Sequence, residues 1–168
     1  MNHDLENTFL TGIEQNQQKL LRICSVYADG ASDKKDLFQE ALIHIWQSMP
    51  SFQQKSSIST WMFRITLNVC LRIQSSDVRT RNRFLRLDSI SIANVKEEEQ
   101  NHEQQEQLEK LRSCIRKLND ADKAVITLYL EELSYSEIAG ITGLSENNIA
   151  VKLKRIKAKL LNCITENI

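Results

Sequence analysis

Three observations predict an all-α fold of two small helical domains. Punctuation is sparse, with 4 glycines and 1 proline in 168 residues. Apolar residues recur at three- and four-residue spacing along most of the chain. Between residues 88 and 106 that pattern lapses into Glu, Gln, Asn and Ser, a composition that cannot bury a core and marks a tether. The expected division is therefore a domain over 1–87, a flexible acidic linker over 88–106, and a domain over 107–168 that carries a helix-turn-helix.

The first helix is expected over about residues 5–28, from Leu5, Phe9, Ile13, Leu20, Leu21, Ile23 and Tyr27, with a polar glutamine-rich middle and Gly30 beyond its end. Asp33 opens the second, whose stripe is Leu37, Phe38, Ala41, Leu42, Ile45 and Trp46. Met49-Pro50 stops it, because proline disfavours helix in the residue before it. A serine-rich loop over 51–58 leads to a third helix near Ser59, apolar on most sides from Trp61 to Ile73. The helical pattern resumes at Leu108, Leu111, Ile115 and Leu118. Asn119 and Asp120 can cap the next helix, and Ser134 and Glu137 have capping-box spacing for the one after it.

Lys+Arg and Asp+Glu both number 22, so the chain lacks the basic surplus of a protein that grips DNA unaided. The balance hides three zones. Arginines at 64, 72, 79, 81, 83 and 86 face only Asp77, acids at 88, 97, 98, 99, 103 and 106 face only Lys96, and bases at 152, 154, 155, 157 and 159 face Glu146 and Glu166. The cysteines at 24, 70, 114 and 163 show no metal-binding spacing and fall in apolar helical patterns. They are expected to be packed thiols, with no zinc and no disulfide. No nucleophile–base pair or phosphate-cradling glycine loop occurs, so neither a catalytic residue nor a cofactor or small-molecule substrate is expected. Signal-peptide blocks and membrane-length apolar runs are also missing, which points to the cytoplasm.

Residues 137–160 carry the most specific local signal. Ala139 is small enough for two helices to touch, and Gly143, four residues later, tolerates the positive φ of a tight turn. Ile138, Leu144, Ile149 and Leu153 supply apolar anchors. The outward face keeps Asn147, Asn148, Ala150, Lys152, Lys154 and Arg155, types that read adenine, read guanine or hold phosphate in a major groove. In the third helix Arg64, Asn68 and Arg72 stand four apart and share one face, with Trp61 one turn earlier offering a ring for base stacking. By themselves these features also fit a solvated helical hairpin and an ordinary core helix.

Taken in order, DLFQEALIHIWQSMPSF (36–52), STWMFRITLNVCLR (59–72), the acidic tether and LSYSEIAGITGLSENNIAVKLKRIKAKL (133–160) resemble the extracytoplasmic-function group of the sigma-70 family. The resemblance spans roughly residues 8–87 and 107–162. It implies core RNA polymerase as partner, docked through its largest-subunit clamp on Asp36, Leu37, Gln39 and Glu40, and through its flap on the C-terminal domain. It implies promoter −10 DNA on Ser56, Ser57, Ser59, Thr60, Trp61, Arg64, Asn68 and Arg72, with a flipped base held in the loop over 51–60. It implies −35 duplex on Glu146, Asn147, Asn148, Ala150, Val151, Lys152, Lys154 and Arg155, and an anti-sigma factor, often membrane-bound, as inhibitor. The chain departs from many relatives in that Gln74, Ser75, Ser76 and Asp77 separate the asparagine helix from Arg79, Arg81 and Arg83. Rival classes are a stand-alone helix-turn-helix regulator, which would bind symmetrical sites without polymerase, and an inhibitor of another sigma factor.

Overall fold

The computed structural model of the chain describes residues 2–74 and 101–166, and these residues are all helix, turn and loop. Arg79, Arg81, Arg83 and most of the expected linker lie outside them. Two compact units result, Met1–Val95 and Lys96–Ile168. No helix among the described residues is long and apolar enough to cross a membrane.

In the first unit, α1 (Asn2–Tyr27), α2 (Ala31–Ser48) and α3 (Ile58–Gln74) pack pairwise around one core. The glutamine-rich middle does not interrupt α1. Asn16 there is buried, and its amide nitrogen donates to the Gly12 carbonyl at 2.8 Å, so the polar group is satisfied inside the helix. Gly12 allows α1 to approach α3 closely, since a Cβ at that position would lie 2.6 Å from Met62 Cε. Phe9 meets the Trp46 ring edge-on at 5.2 Å. Asp33 holds the start of α2 by accepting from the Asp29 backbone N–H at 2.8 Å. After Ser48 the chain tightens into one 3-10 turn, Met49–Ser51, with the proline in its first positions.

The second unit consists of α4 (His102–Arg116), α5 (Asp120–Leu130), α6 (Tyr135–Thr142) and α7 (Glu146–Glu166). Helix α4 starts at His102, inside the span expected to be linker, because the Asn101 side chain accepts from the Gln104 N–H at 2.8 Å and caps it. Asn119 caps α5 in the same way, through Asp122 N–H at 2.9 Å. Ser134 caps α6 through the Glu137 N–H at 3.1 Å, and the Glu137 carboxylate accepts from the serine hydroxyl at 3.1 Å. Gly143 adopts φ 79°, the left-handed conformation the turn demanded, and its N–H donates to the Ala139 carbonyl at 2.9 Å. The core gathers Ile115, Val125, Leu128, Ile138, Ile149, Leu153 and Ile156, all buried.

The expectation of four free, packed thiols is overturned in this unit. Cys114 of α4 and Cys163 of α7 are joined as a disulfide, with Cα atoms 5.9 Å apart. Their separation of 49 residues conceals the pairing in the sequence, and the packing of α4 on α7 creates it.

Candidate nucleic-acid interfaces

Helix α3 begins under local control of Ser57. Its hydroxyl oxygen accepts from the Thr60 N–H at 3.1 Å, and its carbonyl accepts from the Trp61 N–H at 3.1 Å. The Ser57 hydroxyl also donates to Thr60 Oγ1 at 2.9 Å, and Thr60 is buried. Thr60 is thus a structural part of the helix start, while Ser56 and Ser57 stay exposed and Ser59 is half-buried. Half-buried Trp61 packs on Phe52, ring centroids 4.8 Å apart, which ties the loop over 52–57 back onto α3.

Arg64, Asn68 and Arg72 are exposed along α3, as their four-residue spacing required. Helix α2 adds what the spacing could not reveal. His44 and Ser48 join Ile65, Asn68, Val69 and Arg72 around a cleft of about 290 Å³. The cleft has an apolar floor and a polar rim. Arg72 Nη2 lies 3.3 Å from His44 Nε2. Burial pushes the His44 pKa below its ordinary 6.5, and the Arg72 charge pushes it further down. His44 is therefore neutral near pH 7, and its Nε2 accepts from the guanidinium. The Glu40 carboxylate, 3.9 Å from the same nitrogen, then faces a neutral ring, so this contact is not an ion pair.

The neutral imidazole has a pH consequence. Its contribution to stability is complete above the unfolded value of about 6.5 and is lost as pH falls through the depressed folded value. Urea unfolding of the native chain should therefore show the first unit weakening from pH 7 toward pH 5. His44→Gln should flatten that slope, and an unchanged slope would count against His44 as its source.

The expected polymerase face of α2 needs correction. Asp36 and Gln39 are exposed, but Leu37 is 2% exposed and belongs to the core, and Glu40 is 7% exposed beside His44. Glu40 does not project as the sequence suggested. It lies one turn before His44, on the same edge of the helix.

In the second unit Ser145 starts α7 by accepting from the Asn148 N–H at 3.1 Å. Glu146, Asn147, Asn148, Val151, Lys154 and Arg155 are exposed and Ala150 is half-buried, so the first three turns of α7 present two amides and two cations outward. Lys152 also has a partner inside the unit. Its Nζ lies 3.2 Å from Oδ1 of the buried Asp122, which bridges α7 to the first turn of α5. Lys159 reaches the same carboxylate at 3.8 Å. Lys157 donates to the Tyr129 hydroxyl at 3.0 Å and lies 4.4 Å from its ring centroid; that hydrogen bond raises the lysine pKa. The cations at 152, 157 and 159 thus have partners within their own unit.

Comparison with known proteins matches both units. Sigma-70 region 2 matches residues 13–84, and sigma-70 region 4 matches residues 108–160. The chain is 28% identical over 135 residues to RNA polymerase sigma factor YlaC of Bacillus subtilis, covering 79% of this chain and 78% of that one. It is 28% identical over 142 residues to ECF RNA polymerase sigma factor EcfG of Rhodopseudomonas palustris, covering 83% and 76%. The fold is similar to that of CnrH, solved in complex with the cytosolic domain of CnrY, at TM-score 0.70 and 21% identity over 97% of this chain and 91% of that one. It is also similar to the sigma factor RpoE of Bartonella quintana, solved with the anti-sigma factor NepR, at TM-score 0.64 and 19% identity over 90% and 95%.

Proposed function

The chain belongs to the sigma-70 family, within its extracytoplasmic-function group, and from that membership we propose that it directs bacterial RNA polymerase to a set of promoters by two separate grips on DNA. One observation carries the reading. A single chain pairs an exposed Arg64–Asn68–Arg72 strip on an otherwise buried or half-buried helix with a capped helix-turn-helix whose recognition helix carries two exposed asparagines in its first turn. The strip, with Trp61 and the loop before it, suits melted −10 DNA, where unstacked bases can be hydrogen-bonded and stacked. The cleft bounded by His44 and Ser48 adds a neutral ring that steers the Arg72 guanidinium. The first turns of α7 suit a major groove at the −35 element.

None of this work is covalent. Unstacking a base costs a few kcal/mol, and a site that holds the unstacked base lowers that cost. Two modest grips on one chain reinforce each other once a large partner fixes their spacing. A net charge of zero suits that division, because the polymerase supplies the geometry that isolated charge would otherwise have to supply. Asp36 and Gln39 are the side chains of α2 left to meet the polymerase clamp. The domains at 1–87 and 107–168 divide the −10 and −35 roles, with α4 extending the second back to His102. CnrH was solved with the cytosolic domain of CnrY and RpoE with the anti-sigma factor NepR, and we extend to this chain control by an anti-sigma factor in the cytoplasm.

Transcription with purified core polymerase, followed by start-site mapping across the genome, tests the reading. Specific starts that depend on the chain are expected, and none at any site would sink it. Tight specific DNA binding by the chain alone would favour the stand-alone regulator. Asn148→Ala and Arg155→Ala should each weaken −35 duplex binding by about 1–3 kcal/mol. Unchanged footprints for both would remove α7 from that role.

A further inference from the structure

Four cysteines scattered along the sequence meet in space as two pairs with opposite character. Cys24 of α1 and Cys70 of α3 hydrogen-bond to each other in the core of the first unit, and both are fully buried. That hydrogen bond and the burial raise the Cys24 pKa well above the ordinary thiol value, so it stays protonated and shielded. Cys114 and Cys163 are bonded, and Cys163 is only half-buried, on the last turns of α7 next to the exposed Leu161 and Asn162.

The position of the second pair gives it leverage. Cys114 and Cys163 lie on the first and last helices of their unit, and the whole helix-turn-helix is enclosed between them. Helix α4 is shallowly embedded: Cys114 and Ile115 are its only buried residues, both in its final turn. The bond therefore pins a shallowly anchored helix to the recognition helix. A unit this small has little stability to spare, so closing a 49-residue loop has a large effect.

We propose that Cys114 and Cys163 form a reversible oxidation site for hydroperoxides, through which oxidation firms the DNA-reading unit. The Cys163 thiolate attacks a peroxide oxygen, giving a sulfenic acid as the O–O bond breaks and the first water or alcohol leaves. The Cys114 sulfur then displaces the hydroxyl, forming the S–S bond and releasing a second molecule as water. Both thiol protons end in these products, and the peroxide is the species reduced. A dithiol reductant returns the pair by exchange. In a reducing compartment a bond of this kind serves sensing rather than permanent bracing. The link to DNA reading rests on the sigma assignment above.

The full chain, reduced and then titrated with hydrogen peroxide, provides the test. Alkylation and peptide mass analysis should show Cys114 and Cys163 becoming linked while Cys24 and Cys70 remain thiols. Thermal melting followed by helicity should place the second unit of the reduced chain about 10 °C or more below the oxidised one. Cys163→Ser should melt like the reduced chain and ignore peroxide. Reductant on the native chain gives the same comparison if that variant folds poorly. Failure of peroxide to link the pair in the folded chain, or a shift under about 2 °C, overturns the proposal. Near the melting midpoint of the reduced unit, −35 duplex binding should drop at least twofold on reduction, and equal binding by both forms also overturns it. Transcription with core polymerase separates the two readings, because no transcript from either form counts against the sigma assignment alone.

Discussion

Ile138→Ala is expected to remove most of the stability of the second unit. Ile138 has no exposed surface and sits where α6 packs on the recognition helix. Truncating a fully buried isoleucine costs about 2–5 kcal/mol, from lost burial and from the cavity left behind. A domain of this size holds on the order of 5 kcal/mol in total, so the variant should keep at most about 3 kcal/mol and unfold at much lower urea. Promoter −35 binding should go with it. Both tryptophans, Trp46 and Trp61, belong to the first unit, so their emission follows that unit while far-UV helicity follows both. The expected result is an early partial loss of helicity in urea with the tryptophan transition unmoved. Helicity loss at the native midpoint would mean that the second unit does not depend on the Ile138 core.

Asn68→Ala is expected to slow open-complex formation about 10- to 100-fold, equivalent to about 1.4–2.7 kcal/mol, while leaving closed-complex binding near native. Asn68 is exposed on the rim of the α2–α3 cleft, between two arginines that can hold phosphate. Its amide both donates and accepts, so it can pair with the edge of a base that has left the duplex and gains nothing from one still stacked. An interaction made only after melting affects the melting step. Permanganate reactivity of promoter thymines reads that step directly, and native reactivity with Asn68→Ala would exclude the residue from the strand-holding face.

The features legible in the sequence are those set by near neighbours. The Arg64–Asn68–Arg72 face follows from helical spacing alone, and the Gly143 turn follows from the one residue that tolerates φ 79° there. The asparagine and serine caps at 119 and 134 are also local. What escaped depends on helices meeting. His44 faces Arg72 only because α2 packs on α3, 28 residues away in the chain. Glu40 reads as a projecting acid but is buried, and the pairing of Lys152 with Asp122 exists only because α5 meets α7. The Cys114–Cys163 pairing was hidden for the same reason, since each thiol alone fits an apolar helical position. Asn101 was a local signal that could have been used, because a capping side chain before a polar helix is readable without tertiary structure.

The partners of Lys152, Lys157 and Lys159 also bear on how ionic strength affects promoter use. Of the five cations on α7, only Lys154 and Arg155 make no ion pair or ring contact among the described residues. Neutralising about two phosphates displaces few counterions, so duplex affinity at this helix should fall with a log–log slope near −1.8, against about −4.5 if all five took part. An osmotic shock that raises cytoplasmic potassium would then loosen this grip only mildly.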